Sequence, residues 1–229
     1  MQTTERLASI ITSVTPTSRK AMDLERYVSS LYGDHQAAPC PFTEREIAEL
    51  DETNELLVYV PSKLRAKEMC ERWNLPTNVD FDRDRLIRTV MVAESHWFIT
   101  SASPTPEHIY KSGKTAKRAY EDDGLHGLDL RRYLAFAASF RLKFDALPDQ
   151  LYWTFLLSGS YDRSGVSVIG FDAHGVLSHH GWMRTFKAKF AGSRYCALAP
   201  RIEITAETEM LPRAYRGSGR AGREADMDD

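Results

Sequence analysis

The hydrophobic periodicity of this chain changes close to Pro148, and that change limits the folds open to it. Over Leu128–Phe144, apolar side chains recur at helical spacing and predict a long amphipathic helix. Its apolar face carries Tyr133, Phe136, Ala137 and Phe140. After Pro148, apolar and polar residues alternate with a period of two, which predicts strands joined by turns that contain glycine. These strands are Tyr152–Leu157, Val166–Phe171 and Val176–His180. The predicted class is α+β, with an antiparallel sheet that includes a C-terminal three-stranded meander and packs against the long helix.

Shorter elements are predicted before the long helix. Thr43 and Glu46 form a capping box, in which each side chain satisfies the free backbone amide of the other residue, so a helix should run to about Leu50. Glu55–Val60 is a compact apolar run halted by Pro61 and is interpreted as a buried strand.

The next predicted helix is capped by Ser62, and one apolar stripe should pack it against that strand. The stripe consists of Ala66, Met69, Cys70 and Trp73. Two strand pieces come next, at Thr89–Ala93 and His96–Thr100. A last strand, Leu198–Ile204, contains Pro200 and is therefore expected at the edge of a sheet.

Composition indicates one main domain with flanking segments. Hydrophobic residues make up 42% of the chain and charged residues 27%, and a net charge of −2 gives no global field for polyanions. Residues 1–54 are expected to be helical and loop material, 55–211 to form the main α+β domain, and 212–229 to be a disordered tail poor in apolar groups.

The chain is expected to be a cytoplasmic protein that makes no contact with a membrane. Tyr133–Phe140, its longest apolar run, is far shorter than the ~20 residues that a membrane helix requires. Cys40, Cys70 and Cys196 are odd in number and widely separated, which indicates reduced thiols rather than disulfides or a zinc site.

Several segments resemble a family of uncharacterised bacterial proteins over about residues 56–196. The resemblance is carried by Leu56–Pro61, by Leu128–Asp129 before the long helix, by Trp153–Ser160, and by Gly192–Arg194. It implies a shared architecture and no particular activity. Members of the family have an arginine directly after the Gly-Ser of the meander turn, whereas here Tyr161 takes that place and the arginine comes two residues later.

Lys111–Thr115 ends in the Gly-Lys-Thr of a phosphate-binding loop. The first glycine of that motif would fall at position 108, which is His108, and no buried strand leads into the segment. The segment is therefore interpreted as a solvated loop that begins a helix.

Three histidines near Asp172 suggest a metal site, which we keep as an alternative. His174 lies in a turn with Gly175, while His179 and His180 are neighbours in a predicted strand. Adjacent strand residues point to opposite faces, so the pair is poorly placed to share one ion. A metal-dependent or hydrolytic enzyme that uses Asp172, His179 and His180 is the rival hypothesis.

No other catalytic arrangement is apparent from the sequence. A Gly-x-Ser-x-Gly nucleophile motif is absent, and Cys70 belongs to an apolar helix face. The sequence therefore predicts no particular catalytic residue and no cofactor, and it favours a protein that is not an enzyme.

The tail suggests a second alternative, an accessory nucleic-acid binder. Its arginines are separated by small residues, as in segments that follow a phosphate backbone, although an acidic end balances them. They are Arg213, Arg216, Arg220 and Arg223.

The preferred binding surface is the meander turn, where Tyr161, Asp162 and Arg163 combine an aromatic ring, an acceptor and a forked donor, close to Trp153. Asp162 is also a residue that any tight turn would use. The sequence thus favours a non-catalytic module that binds a macromolecule. A protein is the favoured partner, and nucleic acid remains open.

Overall fold

A computed structural model describes residues 31, 40–62, 64–81, 95–158, 166–180 and 190–198. The helices are α1 (Glu44–Glu52), α2 (Ala66–Arg72), α3 (Gly113–Asp122) and α4 (Leu130–Phe144) within these described residues. The strands there are β1 (Glu55–Val60), β2 (His96–Ser101), β3 (His126–Gly127), β4 (Trp153–Phe155), β5 (Val168–Phe171), β6 (Leu177–His180), β7 (Ala191–Ser193) and β8 (Tyr195–Leu198). The predicted α+β class is confirmed.

The strands of the described residues form two four-stranded sheets rather than the single predicted sheet. The first has the order β1-β2-β8-β3 and is antiparallel throughout. The second has the order β6-β5-β4-β7, in which β4, β5 and β6 pair antiparallel in succession and β7 runs parallel to β4. The sheets separate because the chain leaves the second sheet after Ser193 and enters the first at Tyr195, with Arg194 between them.

The last described strand differs from the predicted edge strand. β8 begins at Tyr195 and lies inside the first sheet, between β2 and β3. Pro200, on which the edge prediction rested, lies outside the described residues, as do Thr89–Ala93 and the tail. The interior position of β8 arises from pairing that starts before the proline.

The long helix α4 packs against β1 and α2. Its predicted apolar face is buried, and two basic residues of the helix are buried as well. Arg131 donates to the carbonyl oxygen of Pro61, and Lys143 pairs with the carboxylate of Asp51. Long basic side chains can line an apolar surface when the charged end finds a partner, and periodicity does not reveal that partner.

Helix starts were predicted with mixed success. The capping box at α1 is confirmed, since Thr43 Oγ1 accepts from the amide of Glu46 and the Glu46 carboxylate accepts from the amide of Thr43. The cap at Ser62 is wrong. α2 begins at Ala66, where the Glu68 carboxylate accepts from the amide of Arg65 at 2.7 Å. The start of the helix is therefore fixed by the carboxylate of Glu68, three residues beyond the N-cap, and not by Ser62.

Candidate functional site

The crossing between the two sheets is held by a buried ion pair. Arg194 and Asp149 both have fully buried side chains. The guanidinium donates twice to the carboxylate, with Nη2 2.6 Å from Oδ1 and Nε 3.0 Å from Oδ2. Thr154 Oγ1 donates to the same Oδ2 at 2.7 Å, and the guanidinium carbon lies 4.4 Å from the centre of the Phe136 ring. Both charges are thus compensated in the interior, as buried charges require.

Burial opposes the charge on Arg194, but the carboxylate of Asp149 outweighs it and raises the pKa of the guanidinium above its ordinary value. The guanidinium therefore stays charged at all ordinary pH values. Tyr133 lies close by, and burial together with the charge of Asp149 holds the pKa of its phenol well above the usual range. Its hydroxyl is buried without a hydrogen-bond partner among the described residues. A phenol held neutral in this way does not act as a base.

The same pair fixes the segment that leads from β2 to α3. Arg194 Nη2 donates to the carbonyl of Ser103 at 2.9 Å, and the amide of Asp149 donates to the carbonyl of Pro104 at 2.9 Å. Further along, Glu107 and Ser193 exchange two backbone hydrogen bonds of 2.8 and 2.7 Å. The segment is therefore tied to the sheet crossing up to Glu107, and the loop that begins at Glu107 has a rigid support.

Residues Glu107–Lys111, which we name the Tyr110 loop, adopt an unusual backbone. His108 has a φ of 53° and Tyr110 a φ of 75°, in the left-handed region that non-glycine residues rarely occupy. The loop is closed by a hydrogen bond from the amide of Lys111 to the carbonyl of His108, 3.1 Å long. His108 packs its ring 5.0 Å from that of Tyr120. Left-handed backbone of this kind persists when the surroundings enforce it.

The side chain of Tyr110 is 69% exposed, the largest value among the exposed large hydrophobic residues of the described structure. Within the described residues, its phenol makes no hydrogen bond and its ring no aromatic contact. Neither a hydrogen bond of the phenol nor ring stacking within the described residues therefore accounts for its conformation.

Below the loop, hydrogen bonds join Ser193, Tyr120 and Glu107. Ser193 Oγ donates to the phenol oxygen of Tyr120 at 3.0 Å, and that phenol donates to Glu107 Oε2 at 3.2 Å. Beside them Tyr195 donates to Glu55 Oε1 at 2.7 Å. Burial is the largest cause that raises the pKa of both phenols, so they remain protonated and serve as donors.

The cysteines are also kept unreactive. Burial raises the pKa of Cys70 to about 12 and that of Cys196 to about 12, and burial also raises the pKa of Cys40. Because the thiolate is the nucleophile, none of these thiols is activated. Cys70 is one of the residues that line a cavity of about 210 Å³ beside α2, and its thiol is uncharged there.

The residues of the rival metal site lie at the end of the second sheet. Asp172 accepts from the amides of His174 at 2.8 Å and Val176 at 2.9 Å, and these bonds, led by that from Val176, lower the pKa of its carboxyl. His179 and His180 lie in β6, where His179 is half-buried and His180 exposed. The described residues contain no cluster of three or more His, Cys, Asp or Glu arranged to hold a metal.

Of the preferred binding residues, Trp153 is described. It starts β4, is half-buried, and meets the ring of His180 edge-on at 4.7 Å. Tyr161, Asp162 and Arg163 lie outside the described residues. The tail arginines also lie outside them; these are Arg213, Arg216, Arg220 and Arg223.

Sequence reasoning missed the central pair and the exposed tyrosine. Arg194 stands in the Gly192–Arg194 segment on which the predicted family resemblance rests, but no local pattern predicts that it is buried. Asp149 comes directly after Pro148, where a turn residue is expected, and nothing in its neighbours indicates burial. The conformation of Tyr110 depends on the bridge to Ser193 and has no local signal.

Comparisons with protein-family models, curated proteins and solved structures found no match to this chain. The family resemblance therefore stays a prediction. Among the described helices, none has the length and apolar character needed to cross a membrane.

Proposed function

We propose that this chain is a non-catalytic module that binds another protein through the Tyr110 loop. The observation that carries the proposal is the side chain of Tyr110, an aromatic group 69% exposed on a left-handed backbone. Folding alone favours neither feature, since an apolar ring gains from burial and a glycine would adopt this φ at lower cost.

Recognition explains both features together. Tyrosine is enriched among the residues that dominate protein interfaces, and a loop whose backbone is fixed before binding loses little conformational freedom when a partner arrives. The loop meets that requirement because the Glu107–Ser193 bridge ties it to the crossing held by Arg194.

The protonation of the buried side chains supports a non-catalytic role. Catalytic nucleophiles and bases have pKa values moved toward the working pH. In the described structure, the pKa values of Cys70, Cys196, Tyr120, Tyr133 and Tyr195 are all raised, away from neutrality. Unpaired cysteines also support a reducing, cytoplasmic setting for the module.

Photo-crosslinking tests this proposal. A photoreactive phenylalanine at position 110 is expected to yield a discrete adduct with a partner protein in cells that make the chain. The same probe at position 142 is the matched control, because Leu142 is also exposed and lies on the helix α4.

Competition makes the test specific. Unlabelled parent protein should suppress the adduct, and the Tyr110→Ala protein should not. Equal yields at positions 110 and 142, or equal suppression by both competitors, would show that Tyr110 is not a recognition residue.

A further inference from the structure

Uncompensated positive charge lies at the end of the Tyr110 loop and in the first turn of α3. Lys111 and Lys114 are both exposed. The ammonium of Lys111 lies 3.2 Å from Nδ1 of His108, and Lys114 has no ion pair or hydrogen bond in the described part of the chain. One turn further along α3, Lys117 lies 3.6 Å from Glu121 and Arg118 3.9 Å from Asp122. The basic groups beside Tyr110 therefore differ from those further along the helix, which are compensated.

The charges on α3 also oppose the helix dipole. The first turn has no acidic residue and the last turn no basic residue, while Lys114 lies in the former and Glu121 and Asp122 in the latter. A helix is stabilised by the opposite arrangement. The observed distribution lowers helix stability and concentrates positive potential at the end that adjoins Tyr110.

The acidic group of the loop itself does not cancel this potential at the surface. Glu107 is half-buried, and its Oε2 accepts the hydrogen bond of the buried phenol of Tyr120. Over residues 110–115, the exposed ring is thus that of Tyr110, and the exposed charged groups are the ammonium groups of Lys111 and Lys114.

Resting on the proposed function, we infer that the partner presents an acidic segment, rich in Asp and Glu, to Tyr110, Lys111 and Lys114. Carboxylates complement the two ammonium groups, and the tyrosine ring packs on the apolar parts of the same segment. The two lysines and the exposed ring of Tyr110 therefore form one surface, and an acidic protein segment is the partner that complements it.

Two observations favour an acidic protein segment over a polyphosphate. Binding to nucleic acid requires many phosphate contacts, whereas two uncompensated lysines lie here on a chain of net charge −2. A phosphate-binding loop would expose the backbone of Gly113 to the ligand. This glycine is instead buried in the first turn of α3, and an added Cβ would lie 3.2 Å from Val166.

Charge reversal tests the inference with the probe at position 110. The double variant Lys111→Glu/Lys114→Glu is expected to reduce the adduct about tenfold, since rim charges govern the association rate. Lys111→Arg/Lys114→Arg should retain it, and Lys67→Glu/Arg72→Glu, at two exposed basic residues of α2, serves as the charge-matched control. Added salt should weaken the adduct of the parent chain.

The adduct then identifies the chemistry of the partner. A synthetic peptide spanning the crosslinked segment should bind the parent chain, and its version with Asn and Gln in place of Asp and Glu should not. An adduct that is unchanged by charge reversal would overturn the inference and leave the proposed function standing. Loss of the adduct on nuclease treatment would also overturn it, in favour of nucleic acid. No adduct above the level at position 142 would remove both proposals.

Discussion

Replacing Arg194 with methionine is expected to lower the free energy of unfolding by about 3–5 kcal/mol. Methionine fills a similar volume but leaves the carboxylate of Asp149 in the interior with Thr154 Oγ1 as its remaining side-chain donor among the described residues. It also removes the donors to the carbonyls of Ser101 and Ser103. The penalty therefore comes from an uncompensated buried charge and not from lost volume.

Urea denaturation followed by tryptophan fluorescence measures this change. The control is the double variant Arg194→Met/Asp149→Asn, in which the second change removes the stranded charge and keeps a residue that tolerates the left-handed φ of 55°. The double variant should recover part of the loss. If the losses of Arg194→Met and Asp149→Asn, each measured alone, simply add in the double variant, the pair does not hold the sheets together. A loss below about 1 kcal/mol for Arg194→Met would show the same.

Replacing Gly192 with alanine is expected to lower the free energy of unfolding by about 2–3 kcal/mol. A Cβ at this position would lie 2.3 Å from the carbonyl oxygen of Glu107 and 3.0 Å from two side-chain atoms of Pro106. The first contact involves backbone, so no side-chain rotation relieves it. The bridge between Glu107 and Ser193 would have to open.

Gly124→Ala provides the contrast for Gly192→Ala. Gly124 has a φ of 68°, and a Cβ there would meet nothing within 4 Å, so that variant reports the backbone conformation alone and should lose about 1 kcal/mol. Similar losses in the two variants, measured by thermal or urea unfolding, would contradict the close approach at Gly192.

The sequence predicted the helices and strands whose periodicity is set by neighbouring residues. The helical period of Leu128–Phe144 and the alternation after Pro148 predicted α4 and the pairing of β4, β5 and β6, because neighbouring residues alone set those periods. The capping box at Thr43 and the helix start at Lys111–Thr115 succeeded for the same reason.

The division into two sheets could not be predicted in this way. It depends on an ion pair between Asp149 and Arg194, which are 45 residues apart, and on backbone bonds that join Glu107 to Ser193. Neither contact leaves a periodic signal, and a basic residue near a strand is ordinarily interpreted as exposed. The sequence did not indicate the surface around Tyr110 either, because that loop is supported by the same long-range contacts.

On the proposed function, the Tyr110 loop keeps an unfavourable backbone in order to present its ring to a partner. The most direct test is the retention of the crosslinked partner on immobilised Tyr110→Gly protein, compared with the parent chain. Glycine adopts the φ of 75° freely, so the variant should be as stable as the parent or up to about 1 kcal/mol more stable. We expect the partner to be lost from this fully folded variant; retention at the parental level would contradict a recognition role for Tyr110.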